Sequence, residues 1–132
     1  MVVVFDASSI VGAALKHDST PMRALQAARE RDAIALSGAV YDEIREVLSR
    51  PKFADALPLE RQQEILELLS AAAIWVEPNT SVADCPDPDD NKYLELAVSS
   101  GASIIVSSDK DLLNMHPWRG VMIIRPASYL AR

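Results

Sequence analysis

Short apolar runs alternate with helix-like segments along the whole chain, and this alternation limits the fold more than any other feature. Five runs have the length and composition of strands, at residues 2–6, 33–36, 74–77, 103–107 and 121–125. The first has no polar gap before its end, which is typical of a strand buried on both faces. Strands separated by helices predict right-handed crossovers and a parallel sheet. We therefore expect an α/β protein with three layers, α/β/α, around a parallel sheet of four to five strands.

Capping residues divide the segments between these runs into helices. Ser8 or Ser9 can cap a short helix through about residue 17, and Thr20 before a proline can open a second helix through about residue 31. Ser37 precedes a third helix, and Gly101 closes a helix that starts at residue 89 or 90. The proline-rich stretch at residues 78–88 is the longest expected loop and therefore a candidate for shaping a site.

Length and composition fit one domain that spans residues 1–132. The chain is 49% hydrophobic, which supports an ordinary core. The single cysteine, Cys85, cannot form an internal disulfide, so a reducing, cytoplasmic location is expected. No apolar run approaches the roughly 20 residues that span a bilayer, so no membrane association is expected. The net charge of −6 argues against a general nucleic-acid coating protein, but acids that hold cations would also produce it.

Four acidic residues are expected to meet at one edge of the sheet. Asp6 ends the first strand-like run, and Asp109 closely follows the fourth. Glu43 and Asp90 lie on or beside the apolar stripes of two predicted helices. The carboxyl ends of parallel strands share an edge, and such folds bind ligands there. Carboxylates gathered at that edge repel one another unless a cation joins them, so the pattern predicts a divalent-metal site.

Helical phase distinguishes two of these acids from their acidic neighbours. At about 100° per residue, Asp90 falls in the row formed by residues 94, 97 and 98, whereas Asp89 points outward. Glu43 likewise lies closer than Asp42 to the stripe at residues 40, 44 and 47. A carboxylate on the buried side of a helix needs a partner, because burying an unpaired charge is costly. Asp90 and Asp109, each taken singly, are also compatible with a plain helix cap.

Three segments resemble motifs of the PIN-domain nucleases. The opening VVFDASSIV is similar to the family's first strand and acid. The segment DPDDNKYLELAVSSGASIIVSSDKDLL, residues 87–113, closely resembles the VapC-related branch of toxin components of toxin–antitoxin systems, and YDEIREVLSRPKF resembles that branch too. The resemblance spans nearly the whole chain. It implies that the four acids of the family fall on Asp6, Glu43, Asp90 and Asp109.

The resemblance also implies a function. PIN domains of this kind are ribonucleases that depend on Mg²⁺ or Mn²⁺, so the four acids would be metal ligands and catalytic residues, with one ion or two. Ser8 and Ser107 would donate to these carboxylates and fix their orientation, and Asp111 would be an auxiliary acid. The branch implies an endoribonuclease toxin of a type II toxin–antitoxin system, with RNA as substrate, an antitoxin protein as partner and a homodimer as the assembly.

Basic residues near the acids are candidates for holding the RNA backbone. They lie in adjoining segments at Lys16, Arg45, Arg50, Lys52, Lys92 and Lys110, and our substrate-binding candidates among them are Lys16, Arg45, Lys92 and Lys110. Phosphate contacts would position an RNA without reading its sequence. A solvated surface charge is the alternative interpretation for each of them.

Three other functions compete with the nuclease interpretation. A receiver domain would show paired acids after the first strand, where this chain has Asp6 alone. A phosphatase that forms an aspartyl phosphate would show Asp-x-Asp there, and this chain has Asp6-Ala7-Ser8. A catalytically silent PIN-fold protein that acts only through a protein partner would keep the fold, and the presence of all four acids disfavours it.

Overall fold

Five parallel strands form one sheet in the computed structural model, which describes all residues from 1 to 132. The strands are β1 (Val2–Phe5), β2 (Ala33–Leu36), β3 (Ile74–Trp75), β4 (Ile104–Val106) and β5 (Met122–Ile124). Their order across the sheet is β3-β2-β1-β4-β5. Helices flank this sheet, so the predicted three-layer α/β/α fold with a parallel sheet is confirmed.

Seven helices connect or follow the strands. They are α1 (Ala7–Leu15), α2 (Thr20–Arg31), α3 (Gly38–Leu48), α4 (Leu59–Ala72), α5 (Asn91–Ser100), α6 (Lys110–Leu113) and α7 (Pro126–Leu130). Short 3₁₀ turns at Pro51–Phe53 and Pro88–Asp90 follow α3 and precede α5. No helix has both the length and the apolar character that crossing a membrane requires.

The caps of the first three helices show how locally the chain encodes its helix starts. The Ser37 hydroxyl accepts the Val40 N–H and caps α3, as predicted. The expected caps of α1 and α2 are wrong, because Asp6 caps α1 and Ser19 caps α2. Each of these side chains accepts the backbone N–H three residues further along the chain. The residues that we expected to be caps stand too late in the chain to accept the same N–H groups.

The direction in which strands are added reverses between β1 and β4. The chain runs from β1 to β2 to β3, then crosses back over the sheet through α5 to β4. Right-handed crossovers therefore place α5 on the face opposite α1 to α4. β1 and β4 are neighbours and pair in parallel from Val3–Ile104 to Phe5–Val106. Open α/β sheets bind ligands in the crevice beyond the carboxyl ends of two such strands.

Burial is greatest in the central strands and lowest at one edge. Nearly all residues of β1, β2 and β4 are buried, whereas Ile74 and Trp75 of β3 are 48% and 50% exposed. In α5, Leu94 is buried as the phase predicts, but Val98 is 40% exposed, contrary to that prediction. The buried side of α5 is formed by Tyr93, Leu94, Leu96 and Ala97.

Candidate functional site

A cavity of about 390 Å³ lies at the crevice beyond β1 and β4. Six acidic residues line it, and they are Asp6, Glu43, Asp87, Asp89, Asp90 and Asp109. They come from the end of β1, from α3, from the turn before α5 and from the start of α6. The four acids predicted from the sequence thus lie around one cavity, and two acids from the loop before α5 join them.

Asp6 is the most fully buried and the most fully hydrogen-bonded of these acids. It is 2% exposed. The Ser8 hydroxyl lies 2.8 and 2.9 Å from its two oxygens, the Ser107 hydroxyl donates to Oδ2 at 2.5 Å, and the Ser9 N–H donates to Oδ1 at 3.0 Å. Burial raises the pKa of the Asp6 carboxyl above its usual value, and these hydrogen bonds counteract part of that rise.

Ser8 and Ser107 also join the segment after β4 to Asp6. The Ser8 oxygen accepts the Ser108 N–H at 3.0 Å, and the Ser107 oxygen accepts the Asp109 N–H at 2.9 Å. The Asp109 carboxylate in turn caps α6 by accepting the Asp111 N–H at 2.9 Å. The ends of β1 and β4 are therefore fixed to each other through two hydroxyl groups, which suits the orienting role expected of these serines.

Glu43 is held by two residues of α5. The Lys92 ammonium forms an ion pair with Glu43 Oε2, and the Tyr93 hydroxyl donates to Oε1. The Tyr93 oxygen also accepts the Ala7 N–H at 3.1 Å, so one buried phenol connects the first residues of α1 with α3. Burial, and then the Glu43 carboxylate, raise the pKa of Tyr93 above its ordinary value, which keeps the phenol a donor.

Asp90 is the one acid that lacks a partner for a buried oxygen. It is 7% exposed, and its Oδ2 atom is buried with no hydrogen bond. Asp89 is exposed, so the two neighbours differ in burial as the helical phase predicts. Burial raises the pKa of Asp90 to about 8, and the nearby Asp109, Asp87 and Asp6 carboxylates act in the same direction. A buried carboxylate with an unpaired oxygen is the group that a cation would satisfy.

The acids around Asp90 fit a hard divalent cation. Asp87, Asp90 and Asp111 each offer a carboxylate oxygen, and these oxygens lie within 4.8 Å of one another. Ligand oxygens around one Mg²⁺ are separated by about 3–4 Å, so a small closure would allow the three to share an ion. Every donor is oxygen, the ligand type that Mg²⁺ and Mn²⁺ prefer. In this arrangement Asp6 and Glu43 are already engaged by hydroxyl and ammonium groups, whereas Asp90 is available.

The structure places the predicted basic residues in very different positions. Lys16 follows α1 at the end far from Asp6, and exposed Arg45 lies 3.5 Å from exposed Asp42 on the same helix. Lys92 is paired with Glu43. Lys110 is exposed at the start of α6 and does not line the cavity. None of these four substrate-binding candidates lines the cavity, whereas two other basic residues, both from the segment after α3, do so.

Sequence reasoning missed two residues of this site. Tyr93 was not identified because an aromatic residue at a helical spacing from other apolar residues is typical of a core position. Asp87 lies in the loop before α5, where no periodicity gives a direction to its side chain. The proline at 88 and the acids after it are the signal that could have identified it, because Asp87 caps that turn by accepting the Asp89 N–H at 3.1 Å.

Comparisons with known proteins agree with this architecture. A family model described as PIN domain matches residues 2–111. An uncharacterized protein of Methanocaldococcus jannaschii is 31% identical over 115 residues, which are 86% of this chain and 74% of that protein. The crystal structure of VapBC2 from Rickettsia felis bound to a DNA fragment from their promoter matches with a TM-score of 0.63. That match covers 93% of this chain and 97% of the other at 14% identity, so it shows a shared fold.

Proposed function

This chain belongs to the PIN-domain family, and from that premise we propose that it is a divalent-metal-dependent endoribonuclease, the toxin component of a type II toxin–antitoxin system. The observation that carries the proposal is the buried, unpaired oxygen of Asp90 in a cavity lined by six acids. Such an arrangement is unfavourable in a protein with a purely structural role, because each carboxylate raises the cost of ionising the next. It becomes favourable when a cation binds.

The residues around Asp90 would hold the ion. Asp90 would be a ligand together with Asp87 and Asp111, and Asp6, Glu43 and Asp109 border the same space. When bound, Mg²⁺ or Mn²⁺ supplies charge neutralisation at the phosphodiester and a lower pKa for coordinated water. Ser8 and Ser107 fix the Asp6 carboxylate so that it faces the cavity without rotating.

Hydrolysis of an RNA backbone requires three changes at the phosphate. A water oxygen bonds to phosphorus, that water loses a proton, and the bond from phosphorus to the leaving oxygen breaks as this oxygen gains a proton. A carboxylate at the cavity wall can accept the proton of the attacking water. Asp109 suits this role because the Asp111 N–H and the start of α6 hold one of its oxygens in place.

RNA cleavage by purified protein tests the nuclease proposal. We expect single-stranded RNA to be cleaved with Mn²⁺ or Mg²⁺ and not in EDTA. Asp6→Asn and Asp90→Asn should each lower the rate by about 10-fold to 100-fold or more, because even the loss of a residue that only orients a metal ligand typically costs that much. Asp18→Asn is the matched control, since it removes the same charge from an exposed residue that does not line the cavity. Equal cleavage in EDTA, or full activity of both variants, would contradict the proposal.

The toxin role rests on the family and on the shared fold with VapBC2. We propose that the chain acts in the cytoplasm, forms a homodimer and is inhibited by a cognate antitoxin protein. Expression of the wild-type protein in a bacterial host should slow growth, and expression of Asp90→Asn to the same level should not. Harmless overproduction of a protein that cleaves RNA in vitro would refute the toxin role. Sedimentation of the purified protein would test the dimer.

One observation favours the silent PIN-fold alternative. Asp6 already accepts hydrogen bonds at both oxygens, and Glu43 is neutralised by Lys92, so two of the four acids are satisfied without a metal. A silent protein would show no stabilisation by Mn²⁺ and no cleavage. The unpaired oxygen of Asp90 is the reason that we place the nuclease first.

A further inference from the structure

We propose that Arg50 and Lys52, on the basic wall of the acidic cavity, form a phosphate-binding subsite for single-stranded RNA. This subsite deepens the proposed nuclease function and rests on it. Arg50 and Lys52 are the two basic residues that line the cavity, beside six acidic ones. They were not among the four preferred candidates from the sequence, and those four do not line it.

Backbone geometry places the two cations at this wall. α3 ends at Leu48, and the 3₁₀ turn Pro51–Phe53 follows with proline at its first position. Proline cannot continue a helix, so the chain turns at this point and brings both side chains to the cavity. Glu43 lies two turns earlier on α3 and lines the same cavity. The basic wall therefore directly follows the helix that carries one of the acids, Glu43.

Arg50 is oriented before any ligand arrives. Its Nε and Nη2 atoms donate at 3.2 and 2.9 Å to the two oxygens of Glu46, which lies four residues earlier in α3. This pairing leaves the Nη1 group of the guanidinium without a protein acceptor. A guanidinium fixed along one edge can donate from another edge to a phosphate oxygen with little further loss of side-chain entropy.

Lys52 carries a charge that no carboxylate of this chain neutralises. It forms none of the ion pairs of the structure, and its ammonium lies 5.1 Å from the centre of the Phe53 ring. A ring at this distance holds the ammonium without supplying a counter-charge. An exposed cation at the mouth of an acidic cavity has two effects on an RNA. It attracts the phosphate backbone, and it offsets the repulsion that the acids exert on that backbone.

The size of the cavity also suits a nucleotide. Its volume of about 390 Å³ lies within the range of about 300–1,000 Å³ that is usual for small-ligand sites. With the scissile phosphate near Asp90, a neighbouring phosphate of the same strand would contact the Arg50 and Lys52 side chains. Contacts of this kind read no base, so the subsite should bind strands of different sequence alike.

Binding of RNA by a double variant tests the subsite. The probe is a fluorescent single-stranded RNA with 2′-O-methyl groups, measured by anisotropy with Mn²⁺ at several salt concentrations and in two unrelated sequences. Arg50→Ala combined with Lys52→Ala should weaken binding of both sequences by about 10-fold or more. Log affinity falls as log salt concentration rises, and in this variant the fall should be less steep by about 0.7 for each phosphate that the protein no longer neutralises. Lys52→Arg, which keeps the charge, should bind like the wild type.

The matched control is Lys16→Ala combined with Arg45→Ala, which removes the same charge from residues that do not line the cavity. It should change the affinity less than threefold. Equal loss in both double variants, no loss in either, or no RNA binding by the wild type would overturn the subsite. Mn²⁺ stabilisation of the Arg50 and Lys52 variant should match the wild type. RNA binding without any metal-dependent cleavage would refute the proposed nuclease while the subsite stands.

Discussion

Replacing Asp90 by asparagine should make the metal-free protein more stable at pH 8 and deprive it of stabilisation by metal. The Asp90 carboxyl has a pKa of about 8 in the folded protein, against 3.8 for an ordinary aspartate. The folded protein therefore keeps a proton that the unfolded chain has released. As a result, the free energy of unfolding falls as pH rises from about 4 to about 8, and levels off above that. An asparagine side chain does not ionise, so this loss disappears in the variant.

The magnitude follows from the size of that change in pKa. The full difference corresponds to about 6 kcal/mol. Solvent reaches the cavity and screens its carboxylates, so we expect the variant to exceed the wild type by about 1–3 kcal/mol at pH 8. The difference should shrink at and below pH 4, where the Asp90 carboxyl becomes protonated in the unfolded chain as well as in the folded protein.

Urea unfolding in EDTA between pH 4 and pH 9 measures this effect, and a second series with Mn²⁺ measures the role of the metal. At about 100 times its dissociation constant, Mn²⁺ should stabilise the wild type by about 2.7 kcal/mol. It should stabilise Asp90→Asn much less. Asp18→Asn, which makes the same charge change at an exposed residue away from the cavity, should follow the wild type in both series. The reasoning is refuted if Asp90→Asn is no more stable than the wild type at pH 8 in EDTA, or if Asp18→Asn gains as much.

Three further substitutions and one control substitution test contacts around and beyond the site. Tyr93→Phe keeps the buried ring but removes the hydroxyl that binds Glu43 and the Ala7 N–H. Urea unfolding should show a free energy of unfolding lower by about 1–3 kcal/mol, and an unchanged urea midpoint would contradict these hydrogen bonds. Lys92→Gln removes the cation paired with Glu43, so calorimetry should show tighter Mn²⁺ binding, whereas weaker binding would mean that the ammonium supports the site. Gly12→Ala should cost about 1–3 kcal/mol because a Cβ there would lie 2.9 Å from a proline ring of α2. The control is Gly38→Ala, where a Cβ would meet no atom within 4 Å, so its effect on stability should be neutral or slightly favourable. Equal melting temperatures of Gly12→Ala and Gly38→Ala would refute the packing argument.

Local features of the sequence were enough to predict the layers and the composition of the site. The five apolar runs became five strands in a parallel sheet. In the central strands β1, β2 and β4 the run is continuous because a strand buried on both faces requires apolar residues throughout. Helical phase separated buried Asp90 from exposed Asp89, because the direction of a side chain on a helix depends on residues within two turns. Two cap predictions failed by one to three positions, since several residues that can cap a helix stand close together at both helix starts.

The partners of each carboxylate depended on the tertiary structure. Glu43 meets Lys92 and Tyr93 only because the crossover through α5 carries residues about 50 positions away to the same crevice. The sequence alone identified Lys92 as a candidate for holding RNA, and the fold uses it to neutralise an acid.

The sequence by itself thus determined which kind of residue gathers at the end of β1 and β4, because periodicity and strand ends are local properties. Only the tertiary structure decided which of those acids are satisfied and which is not. Asp6 accepts donors from both strand ends, whereas Asp90 faces other carboxylates with one oxygen unpaired. The physical reason is that hydrogen bonds and charge repulsion depend on separations of a few ångströms between distant parts of the chain, and the path of the backbone sets those separations.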